Sequence, residues 1–342
     1  MLKQKRVWFG ILLSVILLAV VFYQTDPRLV VNALQRAQYV YLLPALALYF
    51  LGIAIRAARW HFLLRPIKPI PTRDLFRIVV IGYMANDILP LRMGELVRAI
   101  VLGMQSRISK TATLVTIVVE RVFDGLTMLT FIVVASFALH FADDEVAMRV
   151  RLVAALFIAA ILGLAILAGM PRRVERYAEI FLRHLPDAPR ARATRMTRSF
   201  LDGLGALRSP VDSLAIFALS LLAWLCETAM YFVIAFGFDL ALPFPAFLLA
   251  TAFANLATIM PSTPGYVGVF DAAIVYTLTQ LFSVESNLAT SYTLVLHAAL
   301  YLPVTLLGFY YAGRMGLSLA QMSHADAESN APRAPAEAKV AE

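Results

Sequence analysis

Six stretches of the chain stay apolar over about the length of a bilayer crossing: 7–23, 39–55, 111–140, 150–170, 211–238 and 287–313. A helix rises ~1.5 Å per residue and the hydrocarbon core is ~30 Å thick, so about 20 mostly apolar residues make one span. The first stretch follows Lys3, Lys5 and Arg6 as a secretory leader would. It is longer than a leader core and no Ala-x-Ala cleavage site follows, so a retained span is expected. Two further apolar stretches, 75–103 and 247–282, break at a polar Pro/Gly segment and resume for a length too short to span alone. The breaks share a spacing, Pro90-x-x-x-Gly94 and Pro261-x-x-x-Gly265, with Ile88 and Ile259 two residues before each proline and Asn86 and Asn255 earlier still. This is a weak internal repeat.

Lys and Arg collect at the N-terminus and in 56–77, 92–110 and 171–210, whereas the loops around Asp143, Asp144 and Glu145, around Asp239 and around Glu285 are neutral to acidic. If the spans alternate, every basic segment falls on one side, which the positive-inside rule makes cytoplasmic. Both termini then lie inside, and the cytoplasmic membrane is the expected location. For the charges to stay in place, each broken stretch enters and leaves by the same face, the first from the cytoplasm and the second from outside.

The predicted fold is therefore an all-α integral membrane protein of about six transmembrane spans plus two re-entrant helical hairpins arranged as an inverted repeat. Residues 1–38 form an N-terminal span and loop, and 39–170 a first half carrying hairpin 75–103. Residues 171–210 form a basic cytoplasmic linker, 211–314 a second half with the outer hairpin 247–282, and 315–342 a disordered tail. Paired broken helices of opposite orientation frame transport-type sites near the membrane middle. The same breaks also fit ordinary kinks in tilted helices, which would give more full spans and no repeat.

Composition narrows the function. Of 342 residues, 61% are hydrophobic and 15% charged, and the mean hydropathy is +0.76. That excludes a water-soluble globular enzyme, and the length spent on spans leaves no separate catalytic domain to be expected. Thirty Lys and Arg against 22 Asp and Glu give +8, but in a membrane chain the placement of charge outweighs its sum, and no nucleic-acid partner is expected. Cys226 is the single cysteine, and His61, His140, His184, His297 and His324 show no close pairing, so neither a metal nor a cofactor is expected.

Charges at membrane depth cost several kcal/mol unless paired or wetted, which makes them candidates. In the first hairpin these are Asp87, Arg92, Glu95 and Arg98. Glu95 and Arg98 lie three apart on a helix starting near Gly94 and are expected to pair. Arg92 sits at the break, where a helix N-terminus also offers N–H groups to a phosphate or carboxylate. Snorkelling to the interface is the open alternative for these arginines.

Within 111–140, Glu120 and Asp124 lie four apart beside Arg121 and repel unless a cation, a proton or an arginine from elsewhere, such as Arg92 or Arg98, compensates, either as part of a site or as a structural ion pair. The second hairpin has Asp271, with Asn255, Ser262, Thr263 and Tyr266 as polar company and Gly265 and Gly268 allowing close backbone approach. Glu227 and His297 complete that half. His297 has no partner legible in the sequence and reads as a hydrogen-bonded packing residue before a proton relay. Arg56, Arg59 and Trp60 close the second span as an interfacial belt, and 171–210 is expected to bind anionic inner-leaflet headgroups.

Taken in order, Arg56-x-x-Arg59-Trp60, Gly82-x-x-x-Asn86-x-x-x-Pro90-x-Arg92-x-Gly94-Glu95-x-x-Arg98, Glu120-Arg121-x-x-Asp124 and Pro264-Gly265-x-x-Gly268-x-x-Asp271 resemble the lysylphosphatidylglycerol synthetase transmembrane, or flippase-like, family. The resemblance runs to about residue 315. The family includes the flippase half of aminoacyl-phosphatidylglycerol synthases, hopanoid-associated membrane proteins and archaeal proteins linked to dolichol glycosylation. Tyr266 interrupts the glycines usual after the second proline, and Asp271 stands where members carry glutamate. No aminoacyl-transferase domain accompanies these residues, so the chain is expected to be a stand-alone member and not itself a synthase.

The resemblance implies a lipid translocator for an anionic phospholipid, a polyprenyl-phosphate-linked or a hopanoid-type substrate. Asn86, Arg92, Glu95, Arg98, Glu120, Arg121, Asp124, Asn255, Gly265, Gly268 and Asp271 are then the substrate-binding set, with no catalytic residue. No nucleotide-binding Gly-x-x-x-x-Gly-Lys-Ser/Thr loop is present. The alternatives are a noncatalytic partner of a lipid-modifying enzyme or glycosyltransferase, and an intramembrane enzyme on a lipid phosphate using Glu120 or Asp124 as base.

Overall fold

A computed structural model describes residues 5–23, 25–89, 93–106, 108–139, 210–260 and 262–317, with a few positions between 145 and 155. Most of the expected span 150–170, the linker 171–209, the tail beyond 317 and the residues Pro90, Arg92 and Pro261 lie outside the described residues. Among those described, the only regular elements are helices.

In chain order they are α1 (Lys5–Tyr23), α2 (Pro27–Arg36), α3 (Leu42–Leu64), α4 (Thr72–Ile88), α5 (Gly94–Ser106) and α6 (Lys110–Ala138). After the linker follow α7 (Pro210–Phe236), α8 (Phe244–Ala257), α9 (Val269–Tyr276) and α10 (Ser286–Arg314). Among the described residues three helical segments, Tyr39–Leu64, Val211–Phe236 and Ser286–Arg314, are long and apolar enough to cross a membrane. Gly10–Tyr23 with Pro27–Arg36, bent by 83°, makes a fourth candidate. The long helices turn large apolar side chains such as Leu43, Phe137, Val211 and Leu306 outward, as a surface facing hydrocarbon does.

One boundary corrects the expectation in a way that matters. The second span was expected to end at residue 55, before the first arginines, but α3 runs on to Leu64. A hydropathy argument stops at a charge, whereas the backbone does not when that charge finds a partner. Arg56, Arg59 and Trp60 are thereby inside the helix bundle, not at an interface.

Each broken stretch is a pair of packed helices. In the first, α4 stops where Leu89 takes an extended conformation, as a residue before proline must. The chain returns as α5 antiparallel to α4, with Gly94 N–H donating to Asn86 Oδ1 at 2.8 Å. The two backbones touch: a Cβ on Gly94 would collide with the Gly82 carbonyl oxygen, so only glycine fits. In the second, α8 ends at Ala257, a short turn over Pro264–Tyr266 follows, and α9 packs back on α8. Gly265, at φ 70°, lies against the Tyr301 ring, and Tyr266 also takes a left-handed φ of 60°.

The pairs are held by exchange between the two parts of the chain. α3 packs along α7, α4 along α10, and α8 along α6, so each hairpin leans on the long helix from the other part of the sequence.

Candidate functional site

The bundle interior between these helices carries a connected set of charges, and each position follows from helical spacing. Arg56 and Arg59 are three apart on α3, so both face α7. Arg56 Nη2 lies 2.8 Å from Glu227 Oε2 on α7, and its guanidinium stacks 4.2 Å from the Trp224 ring. Arg59, with a fully buried side chain, reaches Glu120 at 3.0 Å and Asp124 at 2.6 Å on α6 and donates to Ser220 Oγ at 2.7 Å. Trp224 Nε1–H donates to Asp124 as well, at 2.8 Å. From α5, Arg98 grips Glu120 with both Nη atoms, at 3.1 and 3.0 Å, while its guanidinium lies 4.1 Å from the Trp60 ring. Such two-point pairing fixes orientation as well as charge.

Glu95 does not pair with Arg98 as its helical spacing led one to expect. It meets Arg121 Nε at 3.1 Å, and Arg121 also contacts Glu120 at 3.4 Å and Asp124 at 3.2 Å. The reason is the packing of α5 on α6. Intrahelical partners three residues apart compete with partners on a neighbouring helix, and α6 presents both a carboxylate to Arg98 and a cation to Glu95. Together Arg56, Arg59, Arg98 and Arg121 balance Glu95, Glu120, Asp124 and Glu227.

A second cluster joins the hairpin breaks to α10. His297 Nδ1 lies 2.7 Å from Asp271 Oδ1 and Nε2 2.9 Å from the Gly265 carbonyl oxygen. Gly268 N–H donates to Asp271 Oδ2 at 2.8 Å, placing the carboxylate at the N-terminus of α9. One and two turns further along α10, Tyr301 O–H donates to the Asp87 carbonyl at 3.2 Å and Thr305 O–H to Asp87 Oδ2 at 2.6 Å.

Between the clusters is a cavity of about 140 Å³. The first hairpin supplies Gly82, Tyr83, Asn86, Asp87, Glu95 and Arg98, and the second supplies Asn255, Thr258, Gly265, Tyr266 and Phe270. Arg121, Glu227, His297 and Tyr301 complete its polar wall. The space offers both donors and acceptors, as a phosphate-bearing or zwitterionic headgroup requires.

Of the residues expected from the sequence, Asn86, Glu95, Arg98, Arg121, Asn255 and Gly265 line this cavity. Glu120 and Asp124 are 2% and 3% exposed and sit behind it, as counter-ions to the arginines. Gly268 and Asp271 stand behind His297, and Arg92 lies outside the described residues. Sequence reasoning missed Arg56 and Arg59, placed at an interface, and the link from His297 to Asp271. A signal for the first was available: Arg56 and Arg59 are followed by the apolar run from Phe62 to Leu64, which marks a helix that continues. Among the described residues no group of three His, Cys, Asp or Glu side chains is placed to hold a metal ion.

Comparison with known proteins gives one family and a few relatives. The model of the lysylphosphatidylglycerol synthase TM region matches residues 7–308. Two UPF0104 membrane proteins of Methanothermobacter thermautotrophicus are similar, one 26% identical over 283 residues, covering 78% of this chain and 82% of that protein. The other is 25% identical over 326 residues, covering 91% of this chain and 93% of that protein. Glycosyltransferase AglD of Haloferax volcanii is 25% identical over 326 residues, which span 84% of this chain and 51% of AglD.

Proposed function

The chain is a multi-pass membrane protein belonging to the lysylphosphatidylglycerol synthase TM-region family, and on that premise we propose that it translocates a phosphate-bearing lipid headgroup across the cytoplasmic membrane. The observation that carries this reading is the polar cavity walled by both broken helices inside a bundle with an apolar exterior. A headgroup crossing hydrocarbon needs its charges met at every depth, because each unpaired one costs several kcal/mol. Arg121 and Arg98 face the cavity and meet the phosphate, Asn86 and Asn255 supply neutral hydrogen bonds, and Glu95 accepts from any cationic portion. Glu120 and Asp124 act through the arginines, holding them in position.

In this proposal α4–α5 and α8–α9 are re-entrant hairpins from opposite faces, and the halves 39–170 and 211–314 are inverted repeats among about six spans with both termini cytoplasmic. The exchanged packing of α4 on α10 and of α8 on α6 supports that arrangement, since inverted repeats would place those two contacts in equivalent positions. The lipid leaves unaltered, so the chain is a transporter and not an enzyme, and 171–210 rests on anionic inner-leaflet lipids. A second reading, a noncatalytic membrane partner of a lipid-modifying enzyme, draws on the match to half of a protein named as a glycosyltransferase.

Leaflet exchange of labelled phosphatidylglycerol, aminoacyl-phosphatidylglycerol and polyprenyl phosphate in proteoliposomes tests the proposal, with Arg121→Ala and Glu95→Gln beside the unmodified chain. Exchange of one lipid class, lost in both monodisperse variants and without covalent change in the lipid, is the expected result. No exchange by the folded chain overturns autonomous translocation and favours the partner reading.

A further inference from the structure

The hydrogen bonds of His297 fix a proton count. The Gly265 carbonyl oxygen has no proton to give, so the Nε2 atom 2.9 Å away carries one. Asp271 Oδ2 accepts from Gly268 N–H, which leaves Oδ1 to face His297 Nδ1 at 2.7 Å. That contact also contains a proton, on nitrogen in an imidazolium–carboxylate pair or on oxygen in an imidazole–carboxylic acid pair. Either way the pair holds one proton more than a neutral histidine beside a carboxylate.

Withdrawing this proton cannot leave both contacts intact. With Nε2–H kept, lone pairs on Nδ1 and Oδ1 face each other at 2.7 Å and repel. With the proton moved to Nδ1, Nε2 and the Gly265 carbonyl oppose lone pairs instead. Both contacts tie the turn of the second hairpin to α10, and that turn is already bent through Gly265 at φ 70° and Gly268 at φ 89°. The same helix holds the first hairpin through Tyr301 and Thr305 on Asp87. His297, Gly265 and Asp87 all line the cavity, so the proton has a path to water and the latch stands beside the substrate space. The Phe270 ring, 4.8 Å from the imidazole, shields the other side.

We propose that the His297–Asp271 pair is a proton-binding site that latches the second hairpin to α10, so that proton release frees the hairpin turn and couples lipid movement to a proton. This deepens the translocator reading and rests on it. Among the described residues, the charged and titratable groups that share this cavity with His297 or contact it are Asp271 on α9, Asp87 and Tyr83 on α4, Glu227 with its partner Arg56, Tyr231 and Tyr49, Tyr301 on its own helix, and Glu95, Arg98 and Arg121, the two arginines being engaged by Glu95, Glu120 and Asp124. Arg56 is already matched by Glu227 at 2.8 Å, which leaves the proton as the counter-charge to Asp87 and Asp271.

The test uses the full chain and His297→Gln, which keeps hydrogen-bonding capacity without titrating. In detergent, proton release on an alkaline pH jump is counted with an indicator dye, and hydrogen exchange is followed across 262–276. The unmodified chain is expected to release one proton more than His297→Gln and to lose protection in that segment as it does so, while the variant's protection stays flat. Equal proton counts, or a segment indifferent to pH, overturn the site.

In proteoliposomes, exchange by the unmodified chain is expected to change about tenfold across the same pH interval, as loss of a contact to a charged group allows, and by His297→Gln not at all. Exchange that ignores pH in the unmodified chain overturns the coupling. Absence of exchange at every pH overturns the coupling together with the translocator reading, and the proton count in detergent still decides the latch by itself.

Discussion

Replacing Arg59 by alanine removes a fully buried guanidinium from between two carboxylates, 3.0 Å from Glu120 and 2.6 Å from Asp124. Those acids keep Arg98, Arg121 and the Trp224 N–H, but Arg121 is shared with Glu95, so two arginines then face the three carboxylates Glu95, Glu120 and Asp124. At ~4 Å and an effective dielectric of ~20 each pair is worth ~4 kcal/mol, so two come to ~8 kcal/mol. Several kcal/mol return because the guanidinium need no longer be stripped of water. The net loss of ~3–5 kcal/mol matches what deleting one partner of a buried pair costs, and corresponds to a hundredfold to several-thousandfold shift in the folding equilibrium at ~1.4 kcal/mol per tenfold.

The assay is thermal unfolding in detergent, read by tryptophan fluorescence and by the monodisperse fraction after heating. A fall in Tm of about 5 °C is expected. Arg65→Ala is the control: its side chain is 55% exposed and 3.6 Å from Asp212, so its loss costs at most ~1 kcal/mol. Adding Asp124→Asn to Arg59→Ala restores the charge balance and should recover part of the loss. Equal melting of Arg59→Ala and Arg65→Ala would refute the buried-network argument. A double variant no better than the single would show that lost packing, not charge, sets the cost.

Three further outcomes follow from the same geometry. Gly94→Val drives a Cβ toward the Gly82 carbonyl and should cost ~3 kcal/mol or more, seen as loss of monodisperse protein, whereas Gly125→Ala, with nothing within 4 Å, should be neutral or stabilising by up to ~1 kcal/mol. Tyr292→Phe gives up the hydrogen bond to the Tyr231 carbonyl and should lower stability by ~1 kcal/mol while leaving lipid exchange unchanged. Glu95→Gln, at a half-exposed pair with Arg121, should shift Tm by no more than Arg65→Ala does yet abolish exchange; normal exchange would remove Glu95 from the headgroup contacts.

The first hairpin shows how far pattern carries. Its break at Pro90 and Gly94 is legible because proline ends α4 and because a glycine spacing marks where backbones touch. The exchange of partners between α4 and α10 is not, because helix-to-helix contact leaves no periodic trace on either strand of sequence. Glu120 and Asp124 were legible as a problem, two like charges a turn apart in an apolar helix. Their solution was not: Arg59 lies 61 and 65 positions from them and looked like the end of a span.

By itself, then, the sequence determined the class of the protein, its broken helices and the charges that had to be neutralised, because hydropathy, proline and glycine act locally. Tertiary structure alone decided which arginine meets which carboxylate and that His297 joins Asp271 to Gly265. Those outcomes depend on distances between segments far apart in the chain. In a low-dielectric interior the pairing of charges is set by whichever helix packs closest, and no residue's own neighbours specify that.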